Sequence, residues 1–173
     1  MKDDMKQFEL MQRPFKGTYL LGGFDDINAK LDDQIVTTQA MLGSSYIGKG
    51  KLKGDSRGWE IKLNHMSELF DEILKVQRTW MYLEPIFSSG DIGMTMPNEA
   101  KAFQQVDKLW KDTMEGVEAE KAIMDLQEKE NIREHFKEAN KKLDIIQKKL
   151  NDYLEQKRLV FARFFFLANE DLL

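Results

Sequence analysis

Residues 43–50, GSSYIGKG, differ by one position from the phosphate-binding signature G-x-x-x-x-G-K-[ST]. In that signature the loop amides surround the phosphates, the Lys reaches their outer oxygens, and the hydroxyl binds Mg²⁺. Gly50 stands at the hydroxyl position, so the metal ligand is missing. A phosphate loop also follows a buried strand, whereas helical spacing precedes this one. We therefore expect a solvated Gly/Lys connector rather than a degenerate nucleotide loop.

Two histidines each precede a glutamate by three residues, His65 with Glu68 and His135 with Glu138. Each pair shares one helix face, where it could chelate a metal ion. Helical di-metal sites use the reverse order, Glu-x-x-His, with further glutamates from other helices. Adjacent carboxylates near the N-terminus project about 100° apart on a helix, so they do not converge on one substrate. We expect solvated surface pairs, no metal or cofactor in this chain, and no catalytic site.

The composition is that of a helix-rich globular protein. Of the 173 residues, 32% are charged and 42% hydrophobic, with a net charge of −4 and no cysteine. This excludes disulfides and thiolate chemistry, and it gives no basic field for nucleic acid. No apolar run approaches the roughly 20 residues of a membrane span, and no signal peptide is evident. We expect an intracellular protein without nucleic-acid or membrane partners, cut from a longer chain that continues beyond ANEDLL.

The N-terminal third is predicted to hold a hairpin and one helix. Pro14 and Gly17 separate two short apolar stretches, which predicts a small β-hairpin within residues 8–21 and a hairpin segment at 1–23. Asp25 is predicted to cap a helix with apolar residues at helical spacing. Five glycines and four cationic residues between positions 43 and 58 predict a flexible connector, so that 24–58 form one helix and this connector.

Downstream, two long helices with heptad seams are predicted, joined through a third helix. The first begins at Trp59 and ends near Pro85, because proline clashes with the preceding turn. Residues 88–97 are predicted to form a turn-rich break, after which Pro97 begins another helix. Each of these two helices has one apolar face. The residues are Trp59, Met66, Leu69, Ile73, Val76, Trp80 and Leu83 in the first helix, and Phe103, Val106, Trp110 and Met114 in the helix that begins at Pro97.

The longest helix is predicted over residues 118–158, with Glu138–Lys142 and Asp144–Lys148 as exposed i,i+4 pairs. Its seam should face that of residues 59–83 within one chain, and pairing of two chains is the less favoured interpretation. The fold class is thus mainly α, an elongated antiparallel helical bundle over 59–158. The predicted seam of this helix consists of Ile132, Phe136, Ala139, Leu143, Ile146, Leu150 and Tyr153. The four phenylalanines of segment 159–173 must also be buried, and they are Phe161, Phe164, Phe165 and Phe166.

Four ordered segments resemble dynein heavy chains, in the linker just upstream of the motor ring. VQRTWMYLEPIFSSGDI (76–92) is the most distinctive, and the others are GTYLLGGFDDINAKLDDQIVTTQAM (17–41), PNEAKAFQQVDKLWKDTM (97–114) and RFFFLANEDLL (163–173). LEPIFSS followed by VDKLW is similar to axonemal, inner-arm-like chains. The sequence departs from the family pattern at GKGKLKG (48–54) and at Ala162.

The resemblance implies a mechanical linker, or lever, that couples ATP-driven changes in the AAA+ ring to microtubule-based movement. It implies that ATP and Mg²⁺ bind in that downstream ring, that the ring and the motor complex are the partners, and that the location is cytoskeletal, in the axoneme of a cilium or flagellum. The alternative is a spectrin-like helical scaffold, and the third hypothesis is a nucleotide-binding enzyme. The candidate structural or mechanical residues are Trp80, Leu83, Glu84, Pro85, Ile86, Phe87, Trp110, Phe164, Phe165 and Phe166.

Overall fold

The computed structural model describes residues 11–44, 51–89, 91–120 and 131–160. About 87% of these residues are helical, in five helices, and a two-stranded antiparallel hairpin lies near the N-terminus. The mainly α fold class is therefore confirmed. The elements, in chain order, are β1 Met11–Phe15, β2 Thr18–Gly22, α1 Phe24–Gly43, α2 Lys51–Ser88, α3 Asp91–Thr95, α4 Pro97–Glu120 and α5 Ile132–Val160.

The predicted hairpin is confirmed, and a two-residue turn connects its strands. Phe15 pairs with Thr18, which leaves Lys16 and Gly17 as a two-residue connection. Both have positive φ, 43° and 80°. Such turns match the right-handed twist of the flanking strands, which is why they are favoured in two-residue hairpins.

Helix α1 confirms the helix predicted before GSSYIGKG, but Asp25 does not cap it. The helix begins at Phe24, and its N-cap is Gly23, at φ 72° with no side-chain hydrogen bond. Glycine adopts this left-handed conformation without steric cost, so the helix starts earlier than a carboxylate cap would allow. Asp25 and Asp26 lie in the first turn, near the positive end of the helix dipole.

Helix α2 extends beyond its predicted start. The predicted connector includes residues 51–58, yet these form the first two turns of α2. Gly54 and Gly58 are helical, at a cost of about 1 kcal/mol each relative to Ala. Burial of Trp59 and Leu63 in the next turn offsets that cost.

Helix α2 also continues past Pro85, where the sequence predicts its end. The proline removes one backbone hydrogen bond but leaves the helix intact to Ser88. Ile86 is buried, and Phe87 stacks on Phe103 of α4 with the ring centroids 5.2 Å apart. These contacts stabilise the helical turn that the proline weakens.

The predicted break at 88–97 is partly helical. Helix α3 occupies Asp91–Thr95, and both Ile92 within it and Met96 just after it are buried. Local glycine and serine content predicts the turns but not this burial, which depends on the neighbouring helices. Helix α4 begins at Pro97 as predicted, and its four predicted apolar residues are all buried.

The single helix predicted over 118–158 is wrong at its N-terminal end. Residues 118–120 belong to α4, and α5 begins at Ile132 after Asn131, whose φ is 58°. Asparagine tolerates this left-handed conformation, which ends a continuous helix. The predicted seam of α5 is buried except for Tyr153, which is half-buried, with Leu154 buried beside it. That shift follows from the drift of a 3.6-residue helix against a 3.5-residue repeat.

The three long helices run up, down and up. Trp80 stacks on Trp110 and Phe87 on Phe103, so α2 and α4 are antiparallel. Helices α4 and α5 are also antiparallel, because Lys142 bonds to Gln105 and the later Lys149 bonds to the earlier Glu99. Helix α5 therefore runs parallel to α2, and the two predicted seams face each other within one chain.

Two predicted surface pairs on α5 form other contacts instead. Asp144 pairs with Lys75 of α2 at 3.2 Å rather than with Lys148. Lys142 donates to Gln105 Oε1 of α4 at 3.0 Å rather than pairing with Glu138. Spacing along one helix could not identify these partners, because they belong to neighbouring helices.

Candidate functional site

Four aromatic rings connect the hairpin to all three long helices, and we call them the aromatic core. Phe15 meets Trp80 edge-on with centroids 5.9 Å apart, and Trp80 stacks on Trp110 at 5.7 Å. Trp110 then meets Phe136 edge-on at 6.4 Å. Such arrangements add about 0.5–1.5 kcal/mol per pair beyond area burial. The rings therefore link β1, α2, α4 and α5 into one packed unit.

The two predicted tryptophans differ in their polar contacts. Trp80 Nε1 donates to Asp107 Oδ1 of α4 at 3.1 Å, which adds a hydrogen bond between α2 and α4. The other oxygen of Asp107 accepts from Lys111 Nζ at 2.7 Å. Trp110 is fully buried, and its indole nitrogen has no hydrogen-bond partner among the described residues. Trp110 therefore contributes through packing alone.

Next to the aromatic core lies the junction, residues 84–97, which joins α2 to α4. Leu83 is completely buried immediately before it, and Pro85 is exposed. Ile86 is 9% exposed, and the half-buried Phe87 ring lies against Phe103 at an interplanar angle of 17°. Of the predicted residues, the structure thus brings Trp80, Phe87 and Trp110 to the α2–α4 interface.

Glu84 forms the polar centre of the junction. Its Oε2 accepts from Lys16 Nζ at 2.6 Å, and its Oε1 accepts from Ser88 Oγ at 2.9 Å. Burial raises the pKa of Glu84, but the hydrogen bonds from Lys16 and Ser88 and the charges of Lys16 and Lys111 outweigh burial and lower it. The carboxylate is therefore ionised at neutral pH and holds the hairpin turn against the end of α2.

A second contact holds the other end of the hairpin. The side-chain amide of Gln77 accepts from Leu21 N–H at 2.9 Å and donates to Leu21 C=O at 3.0 Å. Gln77 thereby pairs with the strand edge as another strand would. Gln12 Nε2 also donates to Met114 O of α4 at 3.2 Å. Sequence reasoning missed Lys16 and Gln77, since neither type nor spacing distinguishes them from surface residues.

A groove of about 220 Å³ lies between α4 and α5, with His135 and Glu138 on its rim. Both are exposed, as are His65 and Glu68, which agrees with the predicted surface pairs. Within the described residues, no group of three His, Cys, Asp or Glu side chains is arranged to hold a metal ion. Val106, Leu109 and Ala139 provide the apolar part of the groove lining.

Two predicted features lie outside the described residues. These are most of GSSYIGKG, at positions 45–50, and the Phe-rich segment with Phe161, Phe164, Phe165 and Phe166. Of the helices in the described ranges, none combines the length and apolarity needed to span a membrane.

Comparison with known proteins identifies the family. Residues 1–173 match the model for dynein heavy chain, N-terminal region 2. The chain is 45% identical to dynein axonemal heavy chain 12 of Rattus norvegicus over 157 residues, or 91% of this chain and 5% of that protein. It is 46% identical to dynein axonemal heavy chain 3 of Homo sapiens over 156 residues, or 90% of this chain and 4% of that protein. The chain therefore belongs to the dynein heavy chain family, and it spans about 5% of the length of these relatives.

Proposed function

We propose that this chain is a mechanical linker element of an axonemal dynein heavy chain, coupling ATP-driven changes in an AAA+ ring to microtubule-based movement. Its family and its axonemal relatives support a motor context. The same proposal gives the AAA+ ring of the same heavy chain and the motor complex as partners. It places the chain in the axoneme of a cilium or flagellum, on an inner-arm-like motor.

The aromatic core is the observation that carries this proposal. A lever must transmit displacement without deforming, and interlocked rings in a close-packed interior resist deformation. The series from Phe15 to Phe136 crosses the hairpin and three helices without a gap. Helix α2 alone has 38 residues, so it is about 57 Å long at 1.5 Å per residue.

The junction is the place where such a lever would yield. Its one aromatic ring, Phe87, is only half-buried, and Pro85 removes a backbone hydrogen bond there. We infer that Ile86 and Phe87 dock the junction and set how rigidly α2 and α4 move together. Hinges of moving domains commonly lie at such element ends.

The test is microtubule gliding measured beside ATP turnover on one preparation of the complete motor. The variant Ile86→Ala with Phe87→Ala should still bind ATP and microtubules but glide more slowly, because a compliant junction absorbs the stroke. Met94→Ala is the matched control, since Met94 lies in the same junction and is 81% exposed. Normal gliding by the double variant would contradict the lever and favour a spectrin-like scaffold. Loss of ATP binding would show instead that the segment acts on the ring.

The proposal also assigns ATP and Mg²⁺ to the ring rather than to residues 43–50. Gly50 provides no hydroxyl for the metal, and helix α1 rather than a strand precedes the loop. Calorimetry on this chain should therefore detect no Mg²⁺-dependent ATP binding in the micromolar range. Micromolar affinity that is lost in Lys49→Ala would establish a nucleotide site here and contradict this assignment.

A further inference from the structure

Besides the Phe15–Trp80 ring contact, two polar contacts of very different strength attach the hairpin to α2. At one end, Gln77 is 9% exposed and satisfies both backbone groups of Leu21. Breaking this contact would leave buried polar groups unpaired, which is costly. At the other end, Lys16 is 48% exposed in its side chain, so water screens its ion pair with Glu84. The Lys16 contact must therefore open far more often than the Gln77 contact.

The residue type at the turn suggests that Lys16 is present for its charge. Lys16 has φ 43°, a conformation that asparagine or glycine adopts more easily at this turn position. A lysine here opposes the local turn preference, and such local conflicts tend to mark functional positions. The lysine adds a contact with Glu84, 68 residues further along the chain, and its ammonium lies 5.7 Å from the centroid of the neighbouring Phe15 ring.

The position of the Phe15 ring, between the two contacts, depends on whether the hairpin turn is closed. Phe15 precedes Lys16 and meets Trp80 edge-on. Trp80 lies three residues after Gln77 and four before Glu84. When the Lys16 contact opens and the turn lifts while the Gln77 contact holds, the turn carries the adjacent Phe15 away from the aromatic core. Glu84 then still has the hydrogen bond from Ser88 and the charge of Lys111 as favourable interactions.

We propose that the hairpin is a latched strap on the junction. Gln77 is its hinge, the Lys16–Glu84 ion pair is its latch, and opening the latch withdraws Phe15 from Trp80 and frees the last turn of α2. The mechanical meaning of this device rests on the proposed lever function, because the released turn belongs to the junction. The existence of the strap does not rest on the lever function, since its opening can be measured on this chain without a motor.

The first test uses Lys16→Asn, which keeps a favourable turn residue and removes the latch charge. NMR relaxation dispersion on this chain should show the open population of residues 15–18 rising about threefold, as expected for loss of one exposed ion pair. Lys75→Gln removes another exposed ion pair, with Asp144, and should leave that population unchanged. An unchanged population in Lys16→Asn would overturn the latch.

The second test follows exchange of the Leu21 amide hydrogen with solvent. In Lys16→Asn this exchange should stay at the wild-type rate, because the hinge remains closed. Faster exchange there would mean that the hairpin leaves as one piece, which would overturn the hinge. Gln77→Met, similar in length but without the amide, should speed Leu21 exchange at least about tenfold. A wild-type rate in Gln77→Met would also overturn the hinge. Neither measurement involves ATP turnover or gliding, so this proposal and the lever fail separately.

Discussion

The aromatic core and the junction are neighbours on α2, yet they are held together differently. Trp80 and Trp110 are at most 1% exposed and touch rings on both sides. In the junction, by contrast, Pro85 is exposed, Phe87 is half-buried, and Glu84 bonds to polar partners at the surface. Close packing makes the first region resist any change of shape, whereas the second relies on a few contacts that can open separately. The junction is therefore the region of the two that should yield first under load.

The largest effect is expected from placing a charge in the seam between α2 and α5. Ile146 is 1% exposed, so Ile146→Asp buries an unpaired carboxylate and should lower the free energy of unfolding by about 4 kcal/mol. Glu138→Gln, on the exposed side of the same helix, should change it by less than about 0.5 kcal/mol. Urea unfolding of both variants is the measurement. Equal losses would contradict the assignment of the seam and the contrast with the surface.

A smaller loss is expected at the junction. Phe87→Ala removes the ring that stacks on Phe103, and because Phe87 is only half-buried the loss should be about 2 kcal/mol. If the junction is the compliant end, amide hydrogen exchange should accelerate in residues 86–96 and stay slow around Trp110. Equal acceleration in both regions would show that the two form one cooperative unit.

Replacing the buried Asn140 should change stability still less. Its Nδ2 donates to the backbone oxygen and to Oε2 of Glu72, while its Oδ1 has no partner in the described part of the chain. A buried oxygen without a partner is unfavourable, so Asn140→Leu should alter the free energy of unfolding by no more than about 1 kcal/mol. The gain for the variant is apolar burial, and the loss is the contact with Glu72. A loss above about 3 kcal/mol in urea would show that the Glu72 contact outweighs the orphaned oxygen.

The seams could be predicted from the sequence because they depend on periodicity, which is local. Both seams and the apolar face of α4 are buried where spacing predicts them, apart from the half-buried Tyr153. Helix ends are harder to predict, since the turn weakened by Pro85 is stabilised by Phe103, a residue of another helix. The attachments of the hairpin could not be predicted at all. Lys16 finds Glu84 68 residues away and Gln77 finds Leu21 56 residues away, and no local pattern encodes such pairs.

The smallest effect concerns the pH dependence of Glu84, which tests how far the junction depends on charge. Burial raises its pKa, but the hydrogen bonds from Lys16 and Ser88, with the charges of Lys16 and Lys111, outweigh burial and lower the pKa in the folded state. A lowered carboxyl pKa adds stability above the ordinary value of 4.5, and this stability is lost as the pH falls through the folded pKa. Wild type should therefore melt slightly above Glu84→Gln at pH 7, and the gap should close in acid.

The partner of Glu84 provides the control for that measurement. When Glu84→Gln is made in a Lys16→Asn background, the difference in Tm that it causes at pH 7 should be smaller than in the wild-type background. Ser88 and Lys111 still favour the carboxylate there, so the difference should shrink without vanishing. A difference of unchanged size would mean that Lys16 contributes nothing to the ionised state of Glu84. The junction would then be held mainly by apolar burial, and its contrast with the aromatic core would be one of packing density rather than of chemistry.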